Sequence, residues 1–177
     1  QIAALLLAAV AVFWALGAYN RLVGLRNAIG QAWARVEEAH RQRAAAVAPL
    51  VAALREPLAA EHGALDALLA AQGASTQATT AMSARHAPAA AAAQWLAAES
   101  ALTAAASRVF ALLEQQPALV AQAPVAGLVQ TWRELTPRLG FARQLFNDAA
   151  SSYDDALAEF PTRLLVRLFG FGRAGRI

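Results

Sequence analysis

The sequence predicts an all-α protein in which an N-terminal transmembrane helix continues into an elongated antiparallel bundle of three or four helices. Three observations support this class. Ala, Leu, Arg, Glu and Gln, which form helices readily, dominate the 177 residues. Ile2 to Tyr19 contain no charged residue. Further along, apolar residues recur at steps of three and four, which is the spacing of one face of a helix.

The overall composition agrees with a membrane-attached bundle. Apolar residues make up 58% of the chain and charged residues 15%. A plain soluble domain is less apolar, at roughly 45–50% apolar and about 25% charged residues. The charges are nevertheless spread along most of the chain, which excludes a polytopic membrane protein.

The uncharged segment Ile2–Tyr19 has the length of a transmembrane anchor. Its 18 residues extend about 27 Å as a helix, close to the thickness of the hydrocarbon layer. A signal peptide and a buried core helix are the alternatives, but the apolar run exceeds the about 7–15 residues of a signal h-region. Because residue 1 is Gln, we expect upstream residues or processing.

Arg21 and Arg26 follow the anchor directly. Since positive charge near a membrane span favours the cytoplasmic side, we expect a single-pass protein of the inner membrane with a cytoplasmic bundle. A periplasmic bundle stays open as the alternative.

The first apolar stripe runs from Leu22 through Trp33 to Leu58. It predicts helices over residues 2–48 and 50–72, with Pro49 as the break; if Pro49 only kinks the chain, the two helices merge. The segment Gly73–Thr80 is rich in small and polar residues and is interpreted as a flexible connector.

The second half predicts helices over residues 88–116 and 124–159. Pro88 suits a first helical turn, and Pro137 is expected to kink the last helix. The stripe from Leu128 to Phe160 repeats every 3.5 residues, which is typical of coiled-coil-like packing. The domain assignment is therefore an anchor over 1–19, a helical bundle over 20–160 and an apolar, Arg-containing tail over 161–177.

The sequence offers no reaction chemistry. It contains neither Cys nor Lys, so thiolate metal sites and Schiff-base lysines are excluded. His40 lies on the apolar stripe and is interpreted as a satisfied core or interface histidine. Gly170–Gly175 matches G-x-G-x-x-G letter for letter, but no strand–turn–helix unit surrounds it. We therefore expect no enzyme activity, no cofactor and no metal, and the scattered arginines predict no nucleic-acid binding.

The tail after Pro161 combines apolar bulk with Arg and lacks carboxylates. Its Leu164, Arg167, Phe169 and Phe171 suit an anionic membrane surface. Packing of this tail against the bundle or a neighbouring subunit is the alternative.

Several short stretches, in order and spacing, resemble one known family. They are Tyr19-Asn20, Trp33, Arg43, Glu114 to Leu119, Arg143, Phe146-Asn147, Tyr153-Asp154, Phe160-Pro161 and Gly170-Phe171. Together they resemble the LemA family over nearly the whole chain. Phe146 and Asp154 depart from the family pattern, which has Tyr and Asn at these positions.

The resemblance implies an N-terminally anchored antiparallel bundle of the bacterial envelope without known enzyme activity. It singles out nine positions as structural or interaction residues: Tyr19, Asn20, Trp33, Arg43, Arg143, Phe146, Asn147, Tyr153 and Phe160. Four of them are polar, namely Asn20, Arg43, Arg143 and Asn147, and these are predicted to form one buried hydrogen-bonded network.

The leading functional hypothesis is a non-enzymatic scaffold that self-associates at the membrane as a homo-oligomer. An adaptor that docks a membrane protein partner such as a protease is the first alternative. A module that binds and shapes lipid surfaces through its tail is the second.

Overall fold

The computed structural model describes residues 1–84, 89–159 and 170–177, and these are almost entirely helical. Helix α1 spans Ile2–Leu54, α2 spans His62–Ala84, α3 spans Ala89–Glu114, α4 spans Pro117–Val120 and α5 spans Val125–Ala158. A single 3₁₀ turn at Ala59–Glu61 precedes α2. No strand occurs within these ranges, which confirms the predicted all-α class.

The four long helices run alternately up and down. Trp33 of α1 lies against Phe146 of α5, and Ser75 of α2 lies against Glu99 of α3. Helix α1 packs mainly on α5, while the α2–α3 hairpin meets α1 from the level of Trp33 to that of Leu54. Of the two predicted arrangements, the four-helix one is therefore correct, and α5 returns to the anchor side.

Helix α1 extends without interruption from the apolar N-terminal segment into the bundle. Its most apolar 18-residue window has a mean hydropathy of 2.3, and none of that window is buried, so this part of α1 is a candidate membrane-spanning helix. Helix α3 is also long and apolar enough, with a mean hydropathy of 1.4. The buried, ion-paired Glu99 at the centre of α3 marks it as a helix of the bundle instead.

The prediction that a second helix occupies residues 50–72 is wrong. Helix α1 continues through Pro49 to Leu54. Leu50, Val51 and Leu54 are buried in the core, and this burial offsets the backbone hydrogen bond that proline cannot donate. The chain leaves the helix only at residues 55–58, next to Pro57.

The prediction of a flexible connector at Gly73–Thr80 is also wrong, because this segment forms the middle of α2. Its hydroxyl groups bond to carbonyls one turn earlier, as Thr79 Oγ1 does to the Ser75 carbonyl at 2.9 Å. Bonds of this kind satisfy Ser and Thr inside a helix. Gln72, Ser75, Thr79 and Met82 form a buried face at steps of three, four and three.

The later helices lie close to their predicted bounds, since α3 and α5 differ from them by one or two residues. Helix α5 continues through Pro137, between the buried Leu135 and Leu139. The predicted helix start at Pro88 and the predicted end at Phe160-Pro161 lie outside the described residues.

Two apolar clusters fill the bundle, one near the anchor and one far from it. The near cluster is built around Trp33, Trp95 and Phe146. The far cluster is built around Leu54, Leu102 and Trp132. Charged and polar side chains occupy the level between the two clusters, and they form the first candidate site.

Candidate functional site

A buried polar layer joins α1, α2 and α3 at mid-height in the bundle. Arg43 Nη2 donates to both carboxylate oxygens of Glu99, at 2.7 and 2.6 Å. Ser75 Oγ donates to Glu99 Oε1, and His40 Nδ1 lies 3.3 Å from the same oxygen. All four residues are at least 95% removed from solvent, so we call this group the polar layer.

The polar layer keeps Glu99 ionised. Burial is the largest influence and by itself favours the neutral acid, but His40, Arg43 and Ser75 together outweigh it and lower the pKa of Glu99 to about 2 from an ordinary 4.5. An ionised carboxylate at this depth requires such partners, because an unpaired charge in an apolar interior is strongly unfavourable.

The ion pair is stabilised further by an aromatic face. The guanidinium carbon of Arg43 lies 4.9 Å from the ring centroid of Trp132 on α5, a cation–π contact. The polar layer thus connects all four long helices. Within the described residues, Arg43 Nε and both ring nitrogens of His40 have no hydrogen-bond partner of good geometry.

This arrangement favours one alignment of the helices. A one-turn shift of α3 along α1 moves the Glu99 carboxylate about 5 Å away from Arg43 and leaves both charges buried without a partner. Buried polar groups are known to specify register in helical assemblies in this way. The polar layer therefore serves to fix the alignment of the helices in the bundle.

An aromatic cluster lies one level closer to the anchor. Trp33 meets Trp95 and Phe146 edge-on, with ring centroids 5.9 and 5.8 Å apart. Trp95 Nε1 donates to Thr79 Oγ1 at 2.9 Å, so its polar atom is satisfied. Arg143 covers the Trp95 ring at 5.4 Å.

The described part of the tail packs against the anchor end of the bundle. Ile177 N donates to Asn147 Oδ1 at 2.9 Å, and Asn147 Nδ2 donates back to the Ile177 carbonyl. Asp154 accepts from Ala174 N at 3.0 Å and pairs with Arg176 at 3.2 Å. Phe171 is half-buried against Tyr19, with ring centroids 6.0 Å apart.

The predicted network of four polar residues does not exist as one unit. Arg43 lies in the polar layer, Arg143 covers Trp95, Asn147 binds Ile177, and Asn20 is exposed on α1. Arg143 and Asn147 are one turn apart on α5, but Arg43, Arg143 and Asn147 have different partners, and no hydrogen bond links any two of the four residues, all of which lie within the described ranges.

The other singled-out positions fall into two groups. Trp33, Phe146 and Tyr153 are buried, whereas Tyr19 is 39% exposed next to the tail. Phe160, Leu164, Arg167 and Phe169 lie outside the described residues.

Sequence reasoning missed Glu99 and Ser75. The signal for Glu99 was present, since it falls on the apolar stripe of α3, four residues after Trp95 and three before Leu102. A lone carboxylate at a core position indicates a buried cationic partner. Ser75 was missed because its segment was interpreted as a connector.

The outward face of the α2–α3 hairpin forms a second notable surface. Between residues 67 and 107 the only charged residues are Arg85 and Glu99. Glu99 is buried, and Arg85 lies outside the described residues. The described exposed residues of this stretch, here called the neutral face, are nine Ala together with Gly, Ser, Thr, Gln and one Leu. Ordinary protein surfaces carry roughly 25–35% charged residues.

Metal ligands do not cluster in the described part of the chain: it contains no group of three or more His, Asp or Glu placed to bind an ion. His62 is exposed at the start of α2, and His86 lies outside the described ranges.

Comparison with known proteins adds the family. No curated protein matches the chain. The model of the LemA family matches residues 32–176, a range that includes the polar layer, the aromatic cluster and the described tail except Ile177. The chain therefore belongs to the LemA family.

Proposed function

We propose that this protein is a non-enzymatic, membrane-anchored scaffold whose bundle self-associates side by side through the neutral face. The observation that supports the proposal is the absence of charge from the described exposed residues between positions 67 and 107, which form the neutral face of the α2–α3 hairpin. Helix α3 is apolar enough to satisfy a membrane-span criterion, yet only 28% of its most apolar window is buried in the monomer.

A second copy of the chain fits this face for three reasons. An uncharged surface can meet its own copy without repulsion between like charges. Small side chains allow two helices to approach closely. A shared anchor also places all copies at the same height and in the same orientation. Equivalent faces therefore meet without any shift of one copy along the membrane normal.

The bundle holds the neutral face away from the membrane. From Asn20 to Leu54, α1 rises about 51 Å, and the α2–α3 hairpin covers the outer part of that length. Copies joined through this face form an array that stands above the bilayer, which is the geometry of a scaffold.

Engineered cysteines test the contact directly, because the chain contains no natural Cys. Ala97→Cys introduces a thiol on the exposed side of α3, and Gln144→Cys introduces one on the exposed side of α5 as the matched control. In membranes under mild oxidation, we expect disulfide-linked dimers from Ala97→Cys and far fewer from Gln144→Cys. Equal cross-linking of both variants, or none from Ala97→Cys, contradicts the proposal.

A specific observation favours the adaptor as a second candidate. Phe141 on α5 is 66% exposed, beside a shallow groove between α1 and α5 that Arg35, Glu38 and Arg138 also line. An exposed aromatic residue with charged neighbours is typical of protein-binding sites.

Gentle extraction and identification of co-purifying proteins distinguish the two candidates. The adaptor predicts a second protein in fixed proportion that is lost in Phe141→Ala. The scaffold predicts a particle that contains this chain alone and is unchanged by Phe141→Ala.

A further inference from the structure

A cavity of about 430 Å³ opens at the anchor end of the bundle. Helix α1, helix α5, the end of α2 and the described tail enclose it, and the residues used below are Arg26, Ile29, Trp33, Tyr153, Phe171 and Arg173. Ligand-binding cavities in proteins usually measure about 300–1,000 Å³. The cavity is therefore large enough for a small molecule.

The anchor-side end of the cavity is cationic. Arg26 and Arg173 line it, and neither forms an ion pair with a carboxylate among the described residues. Asp154, the nearest acidic residue in sequence to Tyr153, is already engaged by Arg176 and Ala174. Two guanidinium groups are thus available to an anionic group, which they bind strongly through charge-assisted hydrogen bonds.

Arg26 lies close enough to Tyr153 to influence its ionisation. Burial raises the pKa of Tyr153, and the positive charge of Arg26 acts in the opposite direction. Tyr153 lines the same cavity, so its phenol is a further polar group near Arg26.

The middle of the cavity is apolar and aromatic. Ile29 and Trp33 form its wall, and the indole N–H of Trp33 donates to Ser83 Oγ at 2.8 Å. The indole of Trp33 therefore needs no hydrogen-bond acceptor from a ligand and offers only its apolar surface. Phe171 lines the anchor-side end, where its ring centroid lies 6.0 Å from that of Tyr19. The opposite rim carries Glu37, one helical turn beyond Trp33, so an anion is repelled there and attracted at the anchor side.

The cavity lies within reach of a bilayer. Arg26 follows Tyr19, the end of the apolar run, by seven residues, which is about 10 Å along the helix. The headgroup zone of each leaflet extends about 5–8 Å beyond the hydrocarbon layer. A molecule that leaves the headgroup zone therefore reaches the level of Arg26 before that of Ile29 and Trp33.

We propose that this cavity binds an anionic single-chain amphiphile drawn from the membrane, with its carboxylate or phosphate head between Arg26 and Arg173. The apolar chain lies along Ile29 and Trp33. This binding activity goes beyond the scaffold function and does not depend on self-association.

Photocross-linking of the full chain in phosphatidylcholine nanodiscs tests the proposal. The probe is a long-chain fatty acid that carries a photoreactive diazirine, and mass spectrometry maps the labelled peptides. We expect labelling around residues 29–33 and 171, in addition to the membrane segment 2–19, which serves as the internal standard. Competition by unlabelled fatty acid is expected, without competition by the matched fatty alcohol or by inorganic phosphate.

Two variants and their controls complete the test. Gly30 lines the cavity, and a Cβ built there has no atom within 4 Å, so Gly30→Leu places its side chain at the cavity and is expected to abolish labelling around residues 29–33 and 171. Arg26→Gln is expected to weaken it about tenfold, the effect of losing a charged hydrogen bond. Gly24→Leu and Arg35→Gln, on the same helix but outside the cavity, are expected to change nothing.

Three results overturn the proposal. Equal competition by the fatty alcohol shows that the arginines do not bind a head group. Equal competition by inorganic phosphate shows that a free anion, not a membrane amphiphile, occupies the site. Unchanged labelling in Gly30→Leu and Arg26→Gln shows that the probe binds elsewhere.

Discussion

Replacing Glu99 by Gln is the sharpest perturbation of the polar layer. Gln has nearly the same shape but no charge, so Arg43 stays buried without its counter-ion. Removal of one partner from a buried ion pair typically costs about 3–5 kcal/mol. The pKa of Glu99 supports the same magnitude, since a decrease from 4.5 to about 2 corresponds to about 3 kcal/mol of the free energy of unfolding.

Thermal unfolding followed by circular dichroism measures this effect. For a chain of this size, each kcal/mol changes Tm by about 2–4 °C, so Glu99→Gln is expected to lower Tm by about 6–20 °C. Glu114→Gln is the matched control, because Glu114 is exposed at the end of the same helix and is expected to change stability by less than about 0.5 kcal/mol.

Replacement of the ion pair as a whole separates its net contribution from the penalty of an unpaired charge. Arg43→Met combined with Glu99→Leu removes both charges, and such replacements are often neutral or stabilising. We expect this double variant to recover most of the stability that Glu99→Gln loses. If Glu99→Gln costs no more than Glu114→Gln, the assignment of the polar layer as a structural ion pair is refuted.

The remaining predictions concern pH, the aromatic cluster and the tail. Because the pKa of Glu99 is lowered by folding to about 2, its stabilisation is present above about pH 4.5 and is lost as the pH falls towards 2; the stability difference between wild type and Glu99→Gln, measured by urea unfolding, should close over that interval. Phe146→Ala, at a site with no exposed surface, should destabilise by about 3–5 kcal/mol, whereas Phe141→Ala on the same helix, at a 66% exposed site, should have little effect in the same assay. Asn147→Ala should increase hydrogen exchange at residues 170–177, because both hydrogen bonds to Ile177 are lost, while Gln144→Ala should leave that exchange unchanged.

Apolar periodicity predicted the parts of the fold that depend on burial. The stripe from Leu128 to Leu157 identified α5 almost to its ends, because the same residues that repeat in the sequence pack against α1. The apolar run at Ile2–Tyr19 likewise identified the candidate membrane span.

Local composition was misleading where tertiary packing overrides it. Pro49 and the segment Gly73–Thr80 both have low helix propensity, yet each lies inside a helix. Burial of Leu50 and Leu54 stabilises the first, and hydroxyl-to-carbonyl bonds together with the buried Ser75 stabilise the second. Propensity is a weak guide in such places, since packing decides.

The polar layer could be predicted only in part. His40 was recognised as a position on the apolar stripe and Arg43 as a position of the family pattern, but their common partner Glu99 lies 56 residues from Arg43 along the chain. Side chains this far apart are brought together only by the arrangement of the four helices. The neutral face depends on the same arrangement, because the sequence alone does not show that Glu99 points inwards.

The central claim is self-association through the neutral face, and the particle mass after gentle extraction tests it most directly. Native mass spectrometry of the 18.5 kDa chain, or mass photometry of the chain fused to a large carrier protein, should show a multiple of the mass of the single chain. No other protein should be present. Ala97→Arg, which introduces like charges on the exposed side of α3, should reduce the particle to single chains at unchanged Tm, whereas Gln144→Arg should not. A single chain in the wild type, or an Ala97→Arg particle of the same mass as the wild type, would contradict the claim.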